Sequence, residues 1–269
     1  MIAVREAPGD ARRLDAIVAA TTGLTRSQAR ALILAGRVRV DDAPATKPGA
    51  GVRHGATVVV AEPPRYVSRG GEKLEGALRD FGIDPTGLDA LDVGASTGGF
   101  TDALLQHGAA HVTALDVGRG QIAWKLRGDP RVTVVERTNF RTLPDDAYPA
   151  GFDLIVIDAS FISLRTIVAR AVAYLRPGGT IVALVKPQFE AGRERLGGGG
   201  VVRDPAVHRA ILGEVREAVR AAGVRAVAAT RSPLVGPAGN VEFFFALRLD
   251  GDDVDDARLD ALVAEAHTA

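Results

Sequence analysis

ALDVGASTGGF, residues 90–100, is the stretch whose reading decides the fold. It reads as a short buried strand, a glycine-rich turn and the start of a helix. Gly94, Gly98 and Gly99 free the backbone for close approach, and the helix that follows offers unpaired N–H groups to a ligand. The spacing departs from G-x-G-x-x-G, because Ser96 stands where the middle glycine belongs, and this disfavours a dinucleotide. Asp92 lies at the end of the strand. About twenty residues on, HVTALDVG ends a second apolar run at Asp116, where an acid can accept both hydroxyls of a ribose. Strand, glycine turn, helix and second-strand acid in that order indicate a nucleoside-type cofactor. Ala95, Phe100, Val117 and Asn139 complete the candidate cofactor set.

Working outward, apolar runs alternate with helical stretches along the rest of the chain. The runs are Leu91–Val93, Val112–Leu115, Val132–Val135, Leu154–Ile157, Ile181–Val185, Val224–Ala229 and Phe243–Leu247. This alternation predicts an α/β, doubly wound, Rossmann-like sheet of seven strands, with the last one expected to run antiparallel if Glu242 is to reach the edge where the others end. Upstream, YVSRGGEKLEGALRDFG predicts a helix with Leu74, Ala77, Leu78 and Phe81 on its apolar face. Glycines 197–200 read as a loop.

Polar residues recur at the ends of the runs. FDLIVIDAS ends at Asp158 and TIVALVK at Lys186. Ligands of such sheets bind outside the carboxyl ends of the strands, so both belong beside the cofactor loop. Glu242 starts the last run, and an antiparallel last strand brings it to the same edge. Lys73 lies in the helix before the sheet. A lysine at a buried strand end must desolvate an ammonium, which is costly unless the charge is paired or its protonation shifted. Two neighbouring lysines disfavour each other's charged form, so one becomes a candidate neutral base. Such a base suits a hydroxyl attacking a methyl group already activated as a sulfonium.

Residues 1–62 read differently. ARRLDAIVAATTG and LTRSQARALILAG predict two short amphipathic helices, the second opened by a Thr25–Gln28 capping box. RVRVDD and ATVVVAE predict strands. The prolines after Glu62 open a linker, residues 63–69, ahead of a main domain at 70–250 and an acidic tail at 251–269 with a short helix. Residues 1–69 carry eleven Arg or Lys against six Asp or Glu, a balance of +5, and residues 250–269 have a balance of −6. A basic small module points to a polyanionic partner, whereas the tail reads as a solvated segment.

Composition excludes several classes. With 46% apolar and 25% charged residues the chain is an ordinary soluble type. It has no cysteine, so thiolate metal sites and disulfides are excluded, and no metal is expected. No uncharged run approaches the ~20 residues of a membrane helix, and MIAVREAPGD lacks the pattern of a signal peptide. The expected compartment is the cytoplasm and the expected state a monomer.

VSRGGEKL (67–74), LDVGASTGGF (91–100), VIDASFISL (156–164), LVKPQFE (184–190) and NVEFF (240–244) resemble the TlyA family, also known as hemolysin A, of ribosomal RNA 2′-O-methyltransferases. Its catalytic domain is similar to the FtsJ class. The resemblance places the K-D-K-E tetrad of that class on Lys73, Asp158, Lys186 and Glu242. RLDAIVAATTGLTRSQARALILAGRVRVDD (13–42) resembles the RNA-binding module of the S-four ribosomal protein, with Arg12, Arg13, Arg26, Arg30, Arg37 and Arg39 as its candidate RNA contacts. The resemblance implies S-adenosylmethionine as cofactor and a cytidine ribose of 16S or 23S rRNA in ribosomal subunits as target. Three other readings compete. A membrane-active hemolysin lacks a spanning segment, and a small-molecule O-methyltransferase leaves the basic module unexplained. A NAD-dependent oxidoreductase conflicts with the glycine spacing.

Overall fold

The computed structural model describes residues 2–4, 13–61, 64–160 and 162–268. The chain divides into two compact units, residues 1–64 and 65–269.

The first unit runs β1 (Ile2–Val4), α1 (Leu14–Thr22), α2 (Arg26–Leu34), β2 (Val38–Val40), β3 (Ala43–Pro44) and β4 (Val58–Val60). Its strands form an antiparallel sheet in the order β1-β4-β2-β3. Leu14, Ile17 and Val18 of α1 and Ala29 and Ile33 of α2 pack on Val38, Val58 and Val60. The capping box forms as expected: Thr25 Oγ1 accepts from Gln28 N–H at 3.3 Å, and Thr25 N–H donates to Gln28 Oε1 at 2.9 Å. Gly23 ends α1 in the left-handed region at φ 71°, where glycine alone carries no Cβ penalty.

The second unit comprises α3 (Arg69–Phe81), β5 (Asp89–Val93), α4 (Gly99–Gln106), β6 (His111–Leu115), α5 (Trp124–Arg127), β7 (Val132–Val135), β8 (Phe152–Ile157), α6 (Leu164–Ala171), β9 (Leu175–Val185), α7 (Pro187–Glu190), α8 (Pro205–Ala221), β10 (Arg225–Arg231), β11 (Phe243–Arg248) and α9 (Asp256–His267). Its sheet order is β10-β11-β9-β8-β5-β6-β7, and β11 runs antiparallel to both neighbours. All seven expected strands are present. Strand residues alternate between two apolar layers. Leu91, Ile155, Ile157, Ala183, Phe243 and Phe245 face α6, α8 and α9, while Ala90, Leu154, Val156, Val182 and Phe244 face α3 and α4. Burial on both faces is what makes these strands continuous apolar runs in the sequence.

Two segments at the expected boundaries are packed into the second unit. Residues 65–69 are not a free linker. Tyr66 is buried against Gly71, Val67 N–H donates to Asp102 Oδ2 at 2.8 Å, and Arg65 pairs with Glu75. The acidic tail is not solvated all round either. Leu259, Leu262, Val263 and Ala266 of α9 enter the main core, and Asp256 and Asp260 pair with Arg209 of α8 at 2.8 and 2.5 Å. The acids of α9 answer a basic face on α8, which a charge count over one segment does not reveal.

Candidate active site

Strand order reverses beside β5: the chain steps outward to β6 and β7, then crosses back to β8 on the other side of β5. Crevices at such switch points lie outside the carboxyl ends of the strands, and two cavities of about 450 Å³ each open there. The first is lined by Gly94, Ser96, Asp116, Val117, Asn139, Asp158 and Ser160 among others. The second is lined by Ser68, Arg69, Lys73, Ala95, Gly99, Phe100 and Pro237, and it shares Gly94, Ser96 and Asp158 with the first. The candidate cofactor residues thus spread over two adjoining cavities.

The glycine loop achieves its shape through tight internal contacts. Gly94 has φ 89°, and a Cβ there would meet the Asp158 carbonyl oxygen at 2.8 Å. A Cβ on Gly99 would lie 2.2 Å from Ser68 Oγ, so the absence of a side chain lets the start of α3 close onto the start of α4. Gly98 packs against Leu126 and lines neither cavity. Asp116 closes the loop: its Oδ2 accepts from Ser96 N–H at 2.8 Å and its Oδ1 from Gly118 N–H at 2.6 Å. Asn139 accepts from Arg141 N–H at 3.1 Å and so holds the turn that forms the far wall of the first cavity.

Asp92 departs from expectation. It is fully buried and lines neither cavity. Its Oδ2 accepts from Thr101 N–H at 2.9 Å and from Thr101 Oγ1 at 2.7 Å, which anchors α4, while Oδ1 has no hydrogen-bond partner among the described residues. Burial pushes its carboxyl up to about 7. It anchors the start of α4 beneath the loop, because a side chain one residue back from the strand end points into the helix layer.

The two lysines and two acids arrive from four elements. Asp158 follows β8, Lys186 follows β9, Lys73 sits on α3, and the antiparallel pairing of Phe243 with Val185 sets Glu242 beside Lys186 along the sheet edge. They meet as two pairs. Lys186 Nζ lies 2.5 Å from Asp158 Oδ1 and donates to Ser160 Oγ at 2.8 Å. Lys73 pairs with Glu242, whose side chain is 1% exposed, and Gln188 Nε2 donates to Glu242 Oε1 at 3.4 Å. Pairing offsets the cost of burying four charges in one place. Glu242 therefore orients Lys73 and leaves Lys186 to Asp158. Sequence reasoning had not singled out Ser160 or Gln188; their signal is position, two residues beyond Asp158 and Lys186 respectively.

In the first unit a groove of about 570 Å³ between α1 and α2 is lined by Arg13, Asp15, Arg26, Ser27 and Arg30. Asp15, 1% exposed, accepts from Arg13 Nη2 at 2.9 Å and from Arg26 Nη2 at 3.1 Å. The Arg13 guanidinium holds this carboxyl well below the usual range. Two of the candidate RNA-binding arginines are thus fixed in place, and Arg30 stands exposed beside them. Arg39 is exposed on β2 and donates to the Asp42 carbonyl; Arg37, just before that strand, is half-buried. Arg12 lies outside the described residues.

The FtsJ-like methyltransferase family matches residues 66–249, and the S4 domain matches residues 12–58. The chain is 51% identical over 235 residues to the 16S/23S rRNA (cytidine-2′-O)-methyltransferase TlyA of Mycobacterium tuberculosis, covering 86% of this chain and 87% of that one. It belongs to the TlyA family of FtsJ-like methyltransferases. The TlyA family also includes a protein named Hemolysin A from Brachyspira hyodysenteriae, 40% identical over 81% of this chain and 92% of its own length. A solved Streptococcus thermophilus structure, likewise carrying a hemolysin name, superposes with a TM-score of 0.75 at 41% identity and covers 95% of both chains. In this FtsJ-like methyltransferase no helix among the described residues is long and apolar enough to cross a membrane.

Proposed function

We propose that this TlyA-family enzyme methylates the 2′-hydroxyl of a cytidine ribose in ribosomal RNA, within ribosomal subunits in the cytoplasm, using S-adenosylmethionine. The observation that carries the reading is the pair of ion pairs at the strand ends, Lys186–Asp158 and Lys73–Glu242, from which Asp158 and Lys73 line the nucleoside-sized crevice while their partners Lys186 and Glu242 do not. The residues fit that cofactor. Asp116 stands at the second strand end, where a ribose is held. The loop around Gly94 and Ser96 joins the first cavity to the second, which contains Lys73. When bound, the cofactor supplies a methyl group already activated on a sulfonium.

The chain's own residues then orient the acceptor and move one proton. A ribose hydroxyl is a poor nucleophile until deprotonated. Lys186, in its neutral form, takes that proton at Nζ, and Asp158, 2.5 Å away, stabilises the ammonium that results. Lys73, held by Glu242, positions the ribose. The Lys73–Glu242 pair is nearly closed to solvent, with side chains 9% and 1% exposed, which strengthens its charge interaction, whereas Asp158 beside Lys186 is 25% exposed. The N-terminal S4-type unit supplies RNA affinity through Arg12, Arg13, Arg26, Arg30, Arg37 and Arg39, whose phosphate contacts set register without reading sequence.

Single-turnover methyl transfer to saturating unmodified subunits, compared with free nucleosides, tests the reading. Transfer is expected to subunits alone. Lys186→Arg keeps the charge but releases no proton near neutral pH, so it should lose about 10²–10⁴-fold in rate while cofactor binding persists. Near-normal turnover by Lys186→Arg would remove Lys186 from the mechanism.

A further inference from the structure

Lys186 has two polar neighbours that act differently. Asp158 Oδ1 approaches Nζ to 2.5 Å but accepts no directed hydrogen bond, so it acts through its charge. Ser160 Oγ accepts a directed bond at 2.8 Å. The nitrogen of an amine has four tetrahedral directions, one of them taken by Cε. Tying one N–H to a fixed acceptor stops rotation about the Cε–Nζ bond, and this sets where the lone pair of the neutral amine points. We propose that Ser160 is a positioning residue that aims the Lys186 lone pair at the acceptor hydroxyl. The inference rests on the reading of Lys186 as the base.

The segment that carries Ser160 is braced against the strand that carries Lys186. Glu190, at the end of α7, accepts from Ser163 Oγ at 2.7 Å and from Leu164 N–H at 2.6 Å. Helix α7 begins at the residue after Lys186. The β8–α6 turn and the β9–α7 turn are therefore fastened to each other on both sides of the amine: Ser160 to Lys186, and Ser163 and Leu164 to Glu190. Ser160 itself is exposed and lines the first cavity, so replacing it removes no core packing. Such a geometric role matters because misplacing a reacting group by about 1 Å costs up to ~10²-fold in rate.

Ser160→Ala and Ser160→Thr in the full chain test this, with single-turnover transfer to saturating subunits measured across pH and cofactor affinity measured by calorimetry. Ser160→Ala should lower the plateau rate about 10- to 100-fold with cofactor affinity unchanged, and Ser160→Thr, which keeps the acceptor oxygen, should restore most of it. The charged groups facing Nζ, Asp158 directly and the Lys73–Glu242 pair along the sheet edge, are unchanged in both variants. An unaltered plateau would overturn the proposal. So would a rate restored by excess cofactor, which would make Ser160 a cofactor contact. An active Lys186→Arg enzyme would overturn the base reading itself, and with it this inference. A slow Ser160→Ala beside an inactive Lys186→Arg supports both.

Discussion

Glu242→Gln removes one charge from a pair that has little access to water. The Glu242 side chain is 1% exposed and that of Lys73 is 9% exposed. The turn at Gly236 presses on the carboxylate so closely that a Cβ there would meet Oε1 at 2.7 Å. The glutamine leaves a buried ammonium without its counter-charge, a change that costs about 3–5 kcal/mol. For a unit of roughly 200 residues, 1 kcal/mol corresponds to about 2–4 °C of melting temperature. The expected fall is then about 6–20 °C by scanning calorimetry of the full chain. Lys73→Met combined with Glu242→Leu removes both charges and is expected to recover most of the loss, since apolar replacement of a buried pair is close to neutral. The double variant should nevertheless transfer no methyl group, because the ribose has lost its positioning ammonium. A Glu242→Gln protein melting within about 2 °C of the parent would refute the buried-pair argument. A double variant with normal turnover would refute the role of the pair in transfer.

Asp116→Ala should weaken S-adenosylmethionine binding about 10- to 100-fold through lost charge-assisted hydrogen bonds, and should lower the melting temperature because the Ser96 and Gly118 N–H groups lose their acceptor; calorimetric titration reads the affinity, and an unchanged affinity would remove Asp116 from the ribose site. Arg30→Glu should weaken subunit binding and reduce its dependence on log salt by about one phosphate contact while sparing cofactor affinity, and an unchanged salt slope would place the RNA elsewhere. Asp92 holds its proton up to about 7 in the folded chain against an ordinary 3.8, so its contribution to stability is complete below about pH 4 and is lost as pH rises through 7. The loss amounts to at most about 4 kcal/mol. Asp92→Asn should flatten that decline in a melting series from pH 4 to 8, and a slope identical to the parent's would show that Asp92 is not its source.

The seven strands were legible because burial on both faces writes each as an unbroken apolar run, and the antiparallel last strand followed from placing Glu242 with Asp158 and Lys186. The very short β1 and β3 carry too few residues to show any period. Asp158, Lys186 and Glu242 were legible as polar residues at the ends of apolar runs, whereas Lys73 lies in a helix and came only with the resemblance. Lys73 and Glu242 are 169 positions apart, and the sequence does not show that Glu242, set beside Lys186 by strand register, turns to Lys73 instead. That Asp92 lines neither cavity was not legible for a related reason. The sequence shows an acid near a strand end but not which way the pleat turns it. Ser160 went unmarked because a serine in a turn is ordinary until a lysine is found within hydrogen-bond reach of it.

The insertion of β11 between β9 and β10 has a consequence for synthesis. A chain emerging from the ribosome contributes every residue of the first cavity by Ile167, yet Lys73 meets its acid only when residue 242 has appeared and its strand has docked in register. A chain that stops short of residue 242 therefore lacks the Lys73–Glu242 pair. The order of translation thus completes the Lys73–Glu242 pair only with the final strand of the sheet.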